Sequence, residues 1–440
     1  MDFAPEWRGP AGGTGCGEGV PSVGSPRSAG GKQRLAESGV RRFVIVGNGA
    51  AGSTCAEVLK NQEPSCQVTL ITNEPYPLYN RVTLPRMLKN EVPAAKVFLK
   101  TLDWHAETGI RFLPETRVTT VNVAGRTVLT DRGEEIPWDA LLIATGGRPN
   151  PLPTSAGTAP NCLNFQTYDD AVALSAQVAS SRRAVAVGGS FISYELAEAF
   201  RVRGMEVAWL IRGPRWLRRI LDEEGGRLVD QIAAEHGVEV VHGQEVERLV
   251  VRDGAVTGVC TTGGQTLDCQ LVGVGLGLTM NLEFLRDTGV RTHKGVVTDS
   301  CLRTNIPGIF AAGDIAEYED EVTGDHHLMG TWDNALAHGR VAALNMLGAN
   351  KPYVDVPTYQ SGLFDTIISV LGVTPETLPD AQSVTRCDPQ SKSYRKLFFK
   401  GDRLVGAVMI GSIKGKKKMM DMIRQGVELN TESEKQALLG

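Results

Sequence analysis

No two of the eight cysteines stand in a C-x-x-C or C-x-x-x-x-C spacing. That absence excludes a sequence-local metal knuckle and a sequence-local redox disulfide, so no metal site is expected and reduced thiols in a cytoplasmic setting fit best. No apolar stretch reaches the roughly 18 residues that a membrane span requires, which excludes an integral segment. Charge of one sign is also missing: a formal net charge of -4 over 440 residues supplies no broad field for nucleic acid, which is excluded as a ligand. What remains, 42% hydrophobic and 22% charged residues, describes an ordinary globular chain of two or three domains.

Residues 1–39 are rich in Gly, Pro and Ser and carry almost no apolar periodicity, so they cannot bury enough surface to offset their ordering entropy. This stretch is expected to be disordered, and it lacks the apolar core of a secretory signal. The run Val40-Arg41-Arg42-Phe43 leads straight into a strand. Translation from a later start would therefore leave the fold intact.

Three later segments carry the chemistry. Val44-Ile45-Val46 runs into Gly47-Asn48-Gly49-Ala50-Ala51-Gly52, Val185-Ala186-Val187 into Gly188-Gly189-Ser190, and Ile309-Phe310-Ala311-Ala312 into Gly313-Asp314. A β-branched run ending in a G-x-G-x-x-G turn that opens a helix brings backbone N–H groups and the positive helix end against a pyrophosphate. Two such turns in series imply two dinucleotides side by side. One chain needs both when electrons pass from a nicotinamide to a flavin.

Between these turns the pattern predicts a helix over residues 53–61 and a strand over 67–72. Glu74 follows, where a carboxylate can accept from an adenosine ribose or simply be a solvated loop residue. Residues 138–147 read as an apolar strand ending in a small-residue turn that includes Ala144, Thr145 and Gly146. Helices are expected over 223–236, 281–290 and 334–347. The architecture is α/β: two Rossmann-like dinucleotide-binding domains, the second (151–280) inserted in the first (40–150 and 281–350), followed by a small C-terminal α/β domain (351–440).

With these motifs in this order, residues 40–425 resemble the two-dinucleotide-binding-domain flavoproteins, the pyridine nucleotide-disulfide reductase-like family. The likeness is strongest to NAD(P)H:rubredoxin or ferredoxin reductases and to the flavin half of assimilatory NAD(P)H nitrite reductases. The resemblance implies that Gly47, Gly49, Ala51 and Gly52 hold the FAD pyrophosphate, that Asp314 after Gly313 bonds the ribityl chain or caps a helix, and that Trp332, near Ala335, lies against the flavin ring or in the core. The segment Tyr79-Asn80-Arg81-Val82-Thr83-Leu84-Pro85-Arg86 is similar to a Y-x-R-P-x-L-S-K motif whose last cation pairs with a glutamate of the second dinucleotide motif. That implies an Arg86–Glu195 pair beside the flavin, with Phe191 covering it until nicotinamide arrives and Arg81 on the cofactor. A fixed cation there would stabilise anionic reduced flavin.

Departures from the pattern sharpen the reading. Ser190 and Ser193 replace the second and third glycines of the second turn, which predicts weaker nucleotide binding unless their hydroxyls bond phosphate. Arg212, at the end of the following strand, favours NADPH over NADH through a 2′-phosphate. The helix after the first turn holds Cys55 alone, and residues 84–88 hold no cysteine, so no thiolate relay is expected and electrons leave the flavin directly. The acceptor is expected to be a small electron-carrier protein, docked on Lys414-Gly415-Lys416-Lys417-Lys418, or the siroheme subunit of a nitrite reductase on another chain. A flavin-bearing sensor without turnover remains open. So does a peripheral quinone reductase using Met419, Met420, Met422 and Ile423 as an apolar helix face, and so does a homo-oligomer.

Overall fold

The computed structural model describes residues 39–321 and 323–439. The expectation of disorder over residues 1–39 falls, apart from Gly39, outside them. The first sheet is parallel, with the strands Ile309–Ala311, Ala140–Ile143, Arg42–Val46, Gln67–Ile71 and Ile110–Leu113 in that spatial order. Its central strand is covered on both faces. Phe43 and Ile45 pack toward the helices Ala50–Gln62 and Trp332–Met346, while Val44 and Val46 pack on the opposite side with Trp138 and Ile315. A strand buried on both faces needs apolar residues at every position, which explains the unbroken run before Gly47.

A second parallel sheet has the order Val238–His242, Glu206–Ile211, Arg183–Val187, Leu271–Val274, Cys162–Asn164. All of it lies between two strands of the first sheet in sequence. The chain crosses over along Gly147–Pro149 and returns along Leu278–Met280, and these two segments pair antiparallel. That pairing overturns the helix expected over residues 281–290. Asn281 gives its N–H to the Gly146 carbonyl (3.0 Å) and its side-chain amide to the Thr145 carbonyl (3.0 Å), and beyond it only the short 3-10 turn Glu283–Leu285 and tight turns form.

The C-terminal unit is a five-stranded antiparallel sheet with Thr358–Leu363 at one edge and Gln382–Asp388 at the other, and the helices Lys416–Gln425 and Glu432–Ala437 follow it. Met419 and Ile423 are buried in this unit's own core, and Met420 and Met422 pack against it. The apolar helix face that a membrane-peripheral quinone reductase would need is thus spent internally. Among the described residues no helix is long and apolar enough to cross a membrane.

Candidate functional site

At the carboxyl end of the first sheet, where ligands of open α/β sheets bind, a cleft of about 720 Å³ opens. Its volume lies within the range of small-molecule sites. Gly47 turns the chain at φ +113°, and a Cβ there would meet the Ala144 carbonyl oxygen at 2.2 Å. A Cβ on Gly52 would lie 1.9 Å from the Gly47 carbonyl oxygen, so only glycine lets the helix sit this close to the turn. The helix Ala50–Gln62 starts behind Gly49 with no side-chain cap. Its first N–H groups therefore remain for a ligand, and they carry the positive end of the helix dipole.

Gly47, Gly49, Ala51, Glu74, Arg81, Ala144, Thr145, Gly146, Gly313, Asp314 and Ala335 all line this cleft. The Arg81 guanidinium donates to the Glu74 carboxylate at 2.7 Å, and the Tyr79 hydroxyl donates to the same carboxylate at 2.6 Å. Glu74 is thus partly committed before any ribose arrives, with lone pairs left over. Burial pushes the Asp314 carboxyl up to about 6, and the Arg81 charge opposes that rise. The residues fit an FAD: an uncapped helix end and a glycine turn for the pyrophosphate, and a carboxylate and a guanidinium on the same wall.

The second turn differs. Gly188 has φ +129°, and a Cβ on it would meet the Gly275 carbonyl oxygen at 2.2 Å. Ser190 caps the helix Phe191–Val202: its hydroxyl accepts from the Ser193 N–H and donates to the Gly275 carbonyl at 2.8 Å, while the Ser193 hydroxyl accepts from the Ser190 N–H. Both hydroxyls are spent on the helix end, so the expected compensation toward phosphate is not available in this arrangement. Room for the Ser193 Cβ comes instead from Gly275, where any side chain would strike the Ser193 N–H at 2.6 Å. Among the described residues the cleft wall includes none of Gly188, Gly189, Ser190, Phe191, Glu195, Arg86, Arg212 or Trp332.

Comparison with known proteins accounts for this doubled arrangement. Residues 41–339 match the family model "Pyridine nucleotide-disulphide oxidoreductase", and residues 366–427 match "Rubredoxin NAD+ reductase C-terminal domain". The chain belongs to the pyridine nucleotide-disulphide oxidoreductase family. It is 30% identical over 375 residues to the anthranilate 1,2-dioxygenase system ferredoxin–NAD(+) reductase component of Burkholderia cepacia, covering 84% of this chain and 90% of that protein. It is 26% identical over 406 residues to nitrite reductase [NAD(P)H] of Bacillus subtilis, covering 90% of this chain and 48% of that protein, so it spans about half that relative's length. Among solved structures, a covalent putidaredoxin reductase–putidaredoxin complex matches with a TM-score of 0.84 at 24% identity, over 91% of this chain and 95% of that one. That likeness speaks for the fold.

Within the family fold, the expected Arg86–Glu195 pair is not formed. Arg86, largely exposed, donates to Glu91 at 3.3 Å, because it sits on the outer side of the short helix Leu84–Leu88. Glu195 instead accepts from the Tyr359 hydroxyl (2.9 Å) and the Ser361 hydroxyl (3.3 Å). The buried cation–carboxylate pair between these helices lies three residues further along each: Lys89 to Glu198 at 3.1 Å. Phe191 packs on Tyr359 with ring centroids 3.9 Å apart and ring planes tilted by 36°, and it meets Trp216 edge-on. Trp332 opens its helix half-buried against the first core, and Arg212 pairs with Glu245 at 3.3 Å at the surface. The seven cysteines among the described residues are free, and Cys55 is a buried packing residue against Met346 whose thiol burial pushes up.

Two residues packed behind the cleft wall carry no local motif. Gly339, in the helix Trp332–Met346, lets that helix touch the first one, since a Cβ there would meet the Ala51 carbonyl oxygen at 2.4 Å. His338, fully buried, accepts the Gly313 N–H on Nδ1 (3.3 Å), and Tyr318 and Tyr353 meet its ring edge-on. Burial pushes the imidazole down to about 3 from 6.5. Between these values the unfolded chain binds a proton that the native protein refuses, so this residue removes stability as pH falls from 6.5 toward 3. At pH 5 the loss is about 2 kcal/mol. His338→Gln, which keeps an acceptor but cannot charge, is expected to lose that much less stability between pH 7 and pH 5 in urea titrations. Equal losses in both proteins would overturn the assignment.

Proposed function

We propose that this chain is an FAD-dependent NAD(P)H oxidoreductase that takes hydride from a nicotinamide nucleotide and hands electrons to a small iron-sulfur or rubredoxin-like protein, with no cysteine relay. The single observation that carries the reading is the glycine-walled cleft under an uncapped helix end, joined in one fold to a second glycine turn. When bound, FAD supplies the exchange between a two-electron donor and a one-electron acceptor. The protein's own groups do the rest. The helix Ala50–Gln62 offers its first N–H groups to the pyrophosphate, Asp314 and Arg81 orient the cofactor's middle, and Thr145 with Asn281 fixes the crossing between the two nucleotide units. Among the described residues no cysteine lines the cleft, which supports direct electron exit. The relatives named as ferredoxin–NAD(+) reductases favour a protein acceptor, and the nitrite reductase relative keeps the flavin-subunit reading as the alternative.

Anaerobic addition of NADH and of NADPH to the flavin-bearing protein, followed by reoxidation with ferredoxin, rubredoxin, quinone, oxygen and nitrite in turn, tests this. Bleaching by neither nucleotide would favour the sensor reading. Arg212 supports a preference for NADPH. Arg212→Ala is expected to lower the ratio of kcat/KM for NADPH over NADH about tenfold, the size of one charge-assisted hydrogen bond at a partly screened site. An unchanged ratio would remove Arg212 from the nucleotide site.

A further inference from the structure

The edge strand Thr358–Leu363 of the C-terminal sheet reaches both nucleotide units. Its side chains alternate with the strand's period of two. Tyr359 and Ser361 turn to Glu195, whereas Gln360, on the other side, accepts from Lys416, and Thr358 donates to Asp333 at the start of the helix Trp332–Met346. Just beyond the strand, the Phe364 N–H donates to Glu198 at 2.9 Å. Among the described residues Tyr359 thus holds the only hydroxyl that both bonds Glu195 and belongs to a ring packed on Phe191. Phe191 is the first residue of the helix that follows the second glycine turn. On the proposed reading, a nucleotide whose pyrophosphate sits on that turn lies beside this ring.

We propose that Tyr359 is a positioning residue of the C-terminal domain, which holds Phe191 closed over the nicotinamide position and keeps the Glu195 carboxyl ordered beside it, so that the C-terminal domain sets nucleotide access. The proposal rests on the nucleotide-site reading above. It predicts that the oxidised protein binds nucleotide with its intrinsic affinity multiplied by the fraction of molecules in which Phe191 is displaced. Glu195 is the reporter of the closed arrangement. Burial pushes its carboxyl up to about 7, the Tyr359 and Ser361 hydroxyls and the Lys89 charge pull it down, and Glu198 pushes it up.

The test uses the flavin-bearing protein and NAD+ and NADP+ as probes, with calorimetry for affinity and infrared spectroscopy of the protonated carboxyl band, assigned with Glu195→Gln, for the titration. Tyr359→Ala, which removes the ring contact, is expected to bind the preferred nucleotide about three- to tenfold more tightly, the range of one aromatic pair. Tyr359→Phe keeps the ring contact and loses the donor, so its affinity stays within about twofold and its carboxyl midpoint moves above 7. Unchanged affinity in Tyr359→Ala would overturn the proposal. Should that variant lose its flavin, an unmoved midpoint in Tyr359→Phe would do so instead. Failure of the unaltered protein to bind either nucleotide takes down the nucleotide-site reading itself, and it shows before any variant is compared.

Discussion

Gly52→Ala is expected to yield protein without bound flavin. The added methyl would lie 1.9 Å from the Gly47 carbonyl oxygen and 3.2 Å from Ile45, and neither can retreat. The Gly47 N–H is fixed to the Ile71 carbonyl at 2.8 Å, and Ile45 belongs to the central strand of the first sheet. The helix Ala50–Gln62 must therefore move outward, carrying away the N–H groups proposed to face the pyrophosphate. Overpacking of this kind costs about 1–3 kcal/mol. Loss of the ligand removes a further stabilisation, about 2.7 kcal/mol where free flavin stands at a hundred times its Kd. The expected result is a colourless protein that unfolds at clearly lower urea than the parent and regains little flavin on reconstitution. A yellow Gly52→Ala protein with parental stability would remove the first glycine turn from the cofactor site.

Ser193→Gly makes the instructive contrast. In the second turn the corresponding position already carries a side chain, and the space for it was made across the strand, at Gly275. The two turns look alike in the chain but solve close approach differently. The difference is invisible locally because Gly275 lies far from Ser193 in sequence.

The same distinction governs how much of the molecule was legible before folding. Parallel strands buried on both faces announce themselves, as Val44-Ile45-Val46 and Val185-Ala186-Val187 do, because burial and backbone geometry ask for the same residues. Turns that need φ near +113° or +129° announce themselves through Gly47 and Gly188. What stayed hidden was set by distant partners. The 281–290 segment has helical composition, yet Thr145 and Gly146 claim the donors of Asn281. Arg86 stands at the motif's cation position, but the short helix Leu84–Leu88 turns it to solvent and puts Lys89 inward. His338 and Tyr359 matter through a backbone N–H and a carboxyl that neighbour them only in three dimensions.

The displaced ion pair leads to the second large effect. Lys89 and Glu198 have side chains only 13% and 6% exposed, and they join the segment before the crossing to the helix of the second nucleotide unit. Arg203 adds a bond to the Leu88 carbonyl at 2.8 Å, so one helix end is held by two side chains of the other unit. Glu198→Ala would strand the Lys89 charge in this buried place and leave the Phe364 N–H with the Tyr194 hydroxyl alone. Removing one partner of a buried pair costs about 3–5 kcal/mol, because desolvation of the survivor is no longer offset. Glu91, 3.4 Å from the Lys89 Nζ, offers partial relief, so the lower end of that range is expected. By contrast, Arg86→Ala removes a mostly exposed pair and should cost no more than about 1 kcal/mol. The double replacement Lys89→Met with Glu198→Leu should recover most of the loss, since a well-packed apolar pair often matches a buried ionic one. Urea unfolding of the four proteins at one pH measures all three terms. If Glu198→Ala cost no more than Arg86→Ala, the pair would be an ornament of the interface, and the geometry between the two nucleotide units would have to be held by the crossing strands alone.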